Sequence, residues 1–170
     1  NRVSEDYRPF NVNITTDSTK FLAAPINMRM RVVITITSSW YGNAGGVAFV
    51  GSYTWGDDTP CFVFSALLNY NEKYVAEAAA HEAGHTLGLY HQSSYDGNCV
   101  KTSDYNGGAG TGEIAWAPIM GMGYPRPITQ WARGDYANPT NTQDDFAVIG
   151  GNGLSLRADD HGDTARTATA

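Results

Sequence analysis

The stretch Asn71-Glu-Lys-Tyr-Val-Ala-Glu-Ala-Ala-Ala-His81-Glu82-Ala-Gly-His85-Thr-Leu-Gly88-Leu-Tyr-His91 decides the fold. Its first part reads as a helix over residues 72–87. Asn69 or Asn71 can cap it, Glu72 sits favourably in the first turn, and Ala76 to Ala80 has high helix propensity. Residues i and i+4 share a helix face, so His81 and His85 present two imidazoles to one point. That geometry suits two Zn–N bonds. Glu82 lies about 100° around the helix from His81. There a carboxylate is near a metal without ligating it, and can take a proton from a water. His91 cannot join by continuing the helix, because six further residues amount to about 600° of rotation. The chain has to turn back, and Gly88 is placed to do so because glycine adopts positive φ without a Cβ penalty. Three neutral imidazoles leave a fourth tetrahedral position free, as in a catalytic site. Two incidental histidines on a helix would be the ordinary reading of His81 and His85 without His91.

Outward from this stretch, the first half reads as α/β. Phe10 to Thr16 alternates apolar and polar and predicts a strand. Met28 to Thr37 is a longer β-branched run suited to a central strand. Gly46 to Val50 and Cys61 to Leu67 are two more strands, the latter introduced by the breaker group Gly56-Asp-Asp-Thr-Pro60. After Gly88 the chain is rich in Gly, Asn, Asp, Pro and Tyr. It predicts loops with one late helix near Thr142 to Val148, capped by Asn141 or Thr140. Long loops of this kind in compact domains are commonly functional.

Composition narrows the function. The chain has 170 residues, with Lys+Arg 11 against Asp+Glu 17 and a formal net charge of −6. No basic surface is offered to nucleic acid or anionic lipid. No apolar run approaches the roughly 18 residues of a membrane span. Two cysteines are too few for a disulfide-framed miniature scaffold. Length predicts one domain, residues 1–170, and the change of sequence character near residue 90 divides 1–91 from 92–170.

The string His-Glu-x-x-His-x-x-Gly-x-x-His at 81–91 resembles the signature of the metzincin zinc endopeptidases. The resemblance implies a mixed α+β fold: a twisted, mostly parallel sheet, the active-site helix, then a loop-rich lower part. It implies Zn²⁺ held by His81, His85 and His91, with Glu82 as general base. It also implies a methionine turn beneath the metal. Ala117-Pro-Ile-Met120-Gly-Met122-Gly-Tyr124-Pro125 offers Met120 for this, with Met122 second, and Tyr124 as a neighbour of the metal or of the oxyanion. By the same resemblance Cys61 to Leu67 is the edge strand lining the cleft, and residues 123–131 wall the pocket beyond the scissile bond. The end pieces, Asp6-Tyr-x-x-Phe10 to Thr16 and Arg157 to Asp163, look similar to secreted bacterial reprolysin-like peptidases.

Several readings follow from this. The chain is expected to be the catalytic core of a longer secreted precursor, with Val3 to Tyr7 the end of a helix. A monomer acting on protein or peptide substrates is expected. Cys61 and Cys99 either form one disulfide, which secretion favours, or remain two thiols. Asp96, Asn98, Asp104 and Asn106 sit among glycines and are either a Ca²⁺ loop or turn-forming residues. His161 reads as a loop residue, with a second metal site as the alternative. Two other functions compete: a non-catalytic module keeping the metzincin fold, and a zinc hydrolase of a non-peptide amide such as a cell-wall crosslink.

Overall fold

The computed structural model describes residues 1–139 and 141–158. Its central sheet has three strands, β1 (Val32–Thr35), β2 (Gly46–Val47) and β3 (Cys61–Phe64), in the order β1-β3-β2. β1 and β3 run parallel, pairing Val32 with Cys61 through Thr35 with Phe64. β2 runs antiparallel to β3, with Gly46 opposite Val63. The strand from Cys61 is therefore central, and β2 is the edge, contrary to the expectation for Cys61–Leu67. β1 bonds to one side of this strand and β2 to the other, and Cys61, Val63 and Phe64 are all buried. After Phe64 the chain leaves the sheet in a single 3₁₀ turn, Ser65–Leu68, closed by Asn69 at φ 55°.

The other strand expectations shorten. Ile26–Met28 is a 3₁₀ turn, so the run from Met28 to Thr37 is extended and paired only over β1. Phe10 to Thr16 makes no strand beyond one bridge from Phe10 to Leu156. Its alternation finds no partner, and Asp17 then caps α2 (Ser18–Ala23) through the Thr19 and Lys20 N–H groups. The N-terminal helix is present as α1 (Arg2–Asp6), packed on the long helix Glu72–Thr86.

The helix read from 72–87 is α3 (Glu72–Thr86), capped by Asn71 Oδ1, which accepts from Lys73 and Tyr74. Its end is a Schellman motif. The Gly88 N–H donates to the His85 carbonyl at 2.9 Å, and the Leu89 N–H donates to Gly84 at 3.1 Å. Gly88 takes φ 96°, and a Cβ there would lie 2.7 Å from Asn152 Nδ2. Asn152 in turn donates to the Leu87 carbonyl.

Beyond α3 come two small ladders, β4 (Ser94–Tyr95) with β5 (Lys101–Ser103), and β6 (Trp116–Pro118) with β7 (Ile128–Gln130). The late helix is α4 (Asp145–Gly151), capped by Asp144, which accepts from the Ala147 N–H. Asn141 does not cap it, and Thr140 lies outside the described residues. Asn141 instead donates to the Tyr90 and His91 carbonyls, a use that only the returning chain makes available. The main core gathers Tyr7, Phe10, Ala83, Leu87, Leu89, Met120, Trp131 and Ile149 from both sides of α3. Each large apolar side chain fully buried there stabilises by about 1.5–3 kcal/mol.

Both cysteines are free thiols, which corrects the Cys61–Cys99 bridge. Cys61 is buried in the central strand against Met30, whereas Cys99 is exposed in the β4–β5 turn at φ 61°.

Candidate active site

α3 and its C-terminal turn bring three imidazoles together. The ring nitrogens of His81, His85 and His91 lie within 4.8 Å of one another, and His85 Nε2 is 3.0 Å from His91 Nε2. His81 Nδ1 meets the Ile119 carbonyl at 2.8 Å, and His85 Nδ1 meets the Leu89 carbonyl at 2.7 Å. A carbonyl oxygen only accepts, so both Nδ1 atoms carry the proton and both Nε2 atoms carry a lone pair. Burial lowers all three histidines, His81 to about 3 and His85 to about 4. Neutral lone pairs converging on one point are a donor set without a donor partner. This fits a metal cation and suits nothing else among the described residues.

Glu82 projects beside them, 8% exposed, and burial raises its carboxyl to about 8. β2 backs it closely: a Cβ at Gly46 would lie 2.6 Å from Glu82 Oε1. The absence of a side chain at Gly46 is therefore what lets the sheet edge approach the carboxylate.

Met120 is fully buried directly beneath α3, where a Cβ at Gly84 would lie 2.7 Å from its Sδ. Its neighbours tie it to the imidazoles. The preceding carbonyl, of Ile119, orients His81, and Met120's own carbonyl accepts from Gln92 N–H at 2.8 Å. Met122 is half-exposed at the cavity instead.

A cavity of about 330 Å³ opens over this group, bounded by Ala44–Gly46, by Glu82 and His81, and by Gly121–Tyr124. A second, of about 450 Å³, lies against Ile128–Trp131 and Asp6. Glu77 and Ile119 line both. Residues 123–131 thus flank two adjoining spaces. Lys73 Nζ joins α3 to this segment, donating to Glu77 Oε1 and to the Gly123 and Tyr124 carbonyls.

Tyr124 lines the first cavity, but its ring packs on Tyr74 at 4.9 Å and its hydroxyl approaches Gly45. The tyrosine lying against the histidines is Tyr105, which reading the sequence did not single out. Its ring centroid is 4.5 Å from His91 and 5.9 Å from His81. Gln92 directly follows the third histidine. It is fully buried, and its Oε1 accepts from the Tyr136 hydroxyl at 2.7 Å. Tyr105 belongs to no local pattern that would have marked it.

The oxygen-rich loop is a set of turns. Asp96 Oδ1 accepts from Asn98 and Val100 N–H, Asn106 Oδ1 accepts from Gly108, and Asp104 pairs with Lys101. Among the described residues only the three histidines converge in the manner of metal ligands. His161 lies outside the described residues, as does the end piece from Asp159 to Asp163.

A mixed α+β fold with a three-histidine cluster built from its central helix and the turn after it defines a metzincin-like metallopeptidase. Residues 15–124 match the family model described as metallo-peptidase family M12B, reprolysin-like, and the chain belongs to that family. The match spans every histidine of the cluster, Glu82 and Met120. No curated protein matches the chain. Among the described residues no helix is long and apolar enough to cross a membrane.

Proposed function

We propose that the protein is a secreted zinc endopeptidase that cleaves extended protein substrates. Residues 1–91 and 92–170 form the upper and lower parts of one catalytic domain. The observation that carries this reading is the convergence of three neutral imidazole nitrogens beside a buried carboxylate, in a cleft bounded by a sheet edge. His81, His85 and His91 would hold the zinc. The Ile119 and Leu89 carbonyls fix the ring orientations of His81 and His85. Zinc bound there supplies Lewis acidity, making a water a competent nucleophile near neutral pH and polarising a carbonyl.

The chain's own groups do the rest. Burial alone would keep the Glu82 carboxyl protonated near neutral pH, and positive charge beside it favours the ionised base. Glu82 then accepts the water's proton at a carboxylate oxygen and passes it to the nitrogen of the leaving amine. The free edge of β2 has main-chain N–H and C=O groups available to an extended peptide, which binds by strand addition with little demand on its sequence. Met120 forms the floor under the histidines, and Gly88 makes the turn that returns His91 to them. Tyr124 closes the cavity at its edge-strand end. A protein of this size and charge is expected to act as a monomer.

Digestion of casein by the zinc-loaded protein, with and without a chelator, tests the reading. Cleavage abolished by the chelator and restored by zinc is the expected result. Full zinc occupancy with no cleavage of any protein would point to a binding module or to a hydrolase of another amide.

A further inference from the structure

Tyr105 reaches the metal cluster from a loop that lies outside the histidine motif. The loop is clamped on both sides. Ser93 Oγ donates to the Asp104 carbonyl at 2.8 Å, and Asn106 N–H donates to Gln92 at 2.6 Å. Met122 N–H donates to the Asn106 carbonyl at 2.9 Å. Tyr105 is thereby fixed at once to the two residues that follow His91 and to the turn that follows Met120.

Its ring is tilted 49° on His91 and is 43% exposed, on the wall of the cavity that also holds Glu82. The backbone of Tyr105 is bonded to Ser103, while its hydroxyl is bonded to no described residue. Glu82 is backed by β2 and Tyr105 by His91, so the two groups enter the cavity from different walls. Tyr124 has a free hydroxyl in the same cavity, but its ring lies on Tyr74 and touches no histidine.

We propose that Tyr105 is a catalytic residue of this peptidase, its phenol O–H donating a hydrogen bond to the oxyanion that forms on the scissile carbonyl. The inference rests on the zinc-peptidase reading above. As the water oxygen bonds to the carbonyl carbon, the carbonyl π pair moves onto oxygen and one water proton passes to Glu82. The phenol keeps its proton and supplies a fixed dipole where that charge develops. The C–N bond then breaks, the pair on oxygen re-forms the carbonyl, and the Glu82 proton goes to the departing nitrogen. The two backbone bonds of Asn106 and the Ser93 Oγ bond to Asp104 hold the loop that carries the donor, which limits the reorganisation needed at the moment of reaction, the condition for this kind of stabilisation.

The test compares wild type and Tyr105→Phe on a quenched fluorescent peptide. Zinc affinity is measured by competition with a coloured chelator, and affinity for a phosphinic peptide, a tetrahedral mimic, by calorimetry. Tyr105→Phe keeps the ring and its packing on His91. The expected result is a kcat lower by about 100-fold. KM and zinc affinity stay unchanged, and phosphinic-peptide binding weakens. An unchanged kcat in Tyr105→Phe, or a loss matched by weaker zinc binding, overturns the proposal while leaving the peptidase reading intact. A zinc-loaded wild type that cleaves no peptide overturns both.

Discussion

Two regions build the candidate site by opposite means. α3 and its turn, residues 72–91, bring His81, Glu82, His85 and His91 together mainly through the helix's own hydrogen bonds and the Schellman turn that follows it. Residues 92–124 place Ile119 and Tyr105 against the same histidines, and Met120 under α3, through contacts that close only when distant segments meet. The first region carries its geometry in local hydrogen bonds, and the second borrows it from the core. The difference teaches where the site is robust to sequence change. A helix face survives substitution of its neighbours, whereas a loop against the cluster depends on every anchor that holds it.

The sharpest way to separate the regions is to remove the base while leaving the helix untouched. Glu82→Ala is expected to keep the metal and to lower kcat by about 10²–10⁴-fold, read from peptide hydrolysis alongside zinc stoichiometry. Near wild-type hydrolysis would remove Glu82 from the role given to it. The non-local side is probed by Met120→Ala. That change should cost about 2–5 kcal/mol in denaturant unfolding because it empties a fully buried site beneath α3. A cost under about 1 kcal/mol would mean that α3 supports the cluster without its floor.

Gly88→Ala tests the junction between the regions. Its φ of 96° and the close approach of Asn152 predict a loss of about 1–3 kcal/mol. Weaker metal binding is expected with it, as His91 is displaced.

A subtler probe is pH. Burial pushes the Asp145 carboxyl up to about 7, although its Oδ2 accepts from the Ala132 N–H. The folded state therefore holds a proton that the unfolded state releases near pH 4. The stability this confers is full below pH 4 and is lost as pH rises toward about 7. Asp6, raised to about 7 by burial and by Glu77, acts in the same direction. Asp145→Asn should flatten the fall between pH 5 and 7.5 in metal-free denaturation curves, and an unchanged slope would remove Asp145 from this account. The smallest effect is expected from Cys99→Ser. An exposed free thiol should change stability by less than about 0.5 kcal/mol, and a loss of several kcal/mol would restore the bridge to Cys61.

How much was legible follows the same division. The Asn71 cap, the helix, the His81–His85 face and the need for a turn at Gly88 were readable because each is a relation between near neighbours. The run from Cys61 was recognised as a strand, yet its place in the sheet was not, because alternation within a strand says nothing about which strands flank it. The α4 cap moved from Asn141 to Asp144 for a similar reason: Asn141 is engaged with the Tyr90 and His91 carbonyls, partners from a segment some 50 residues away. Tyr105 carried no signal at all. It is one of 10 tyrosines, set apart only by where its loop is anchored.

The sequence by itself therefore determined the three-histidine set and the helix that carries most of it, because 3.6 residues per turn converts spacing directly into direction. Only the tertiary structure decided what surrounds that set. Gly46 stands behind the base, Met120 lies under the helix, and Tyr105 rather than Tyr124 rests on His91. Those positions follow from how separate segments bury their apolar faces together, and no local period in the chain records them.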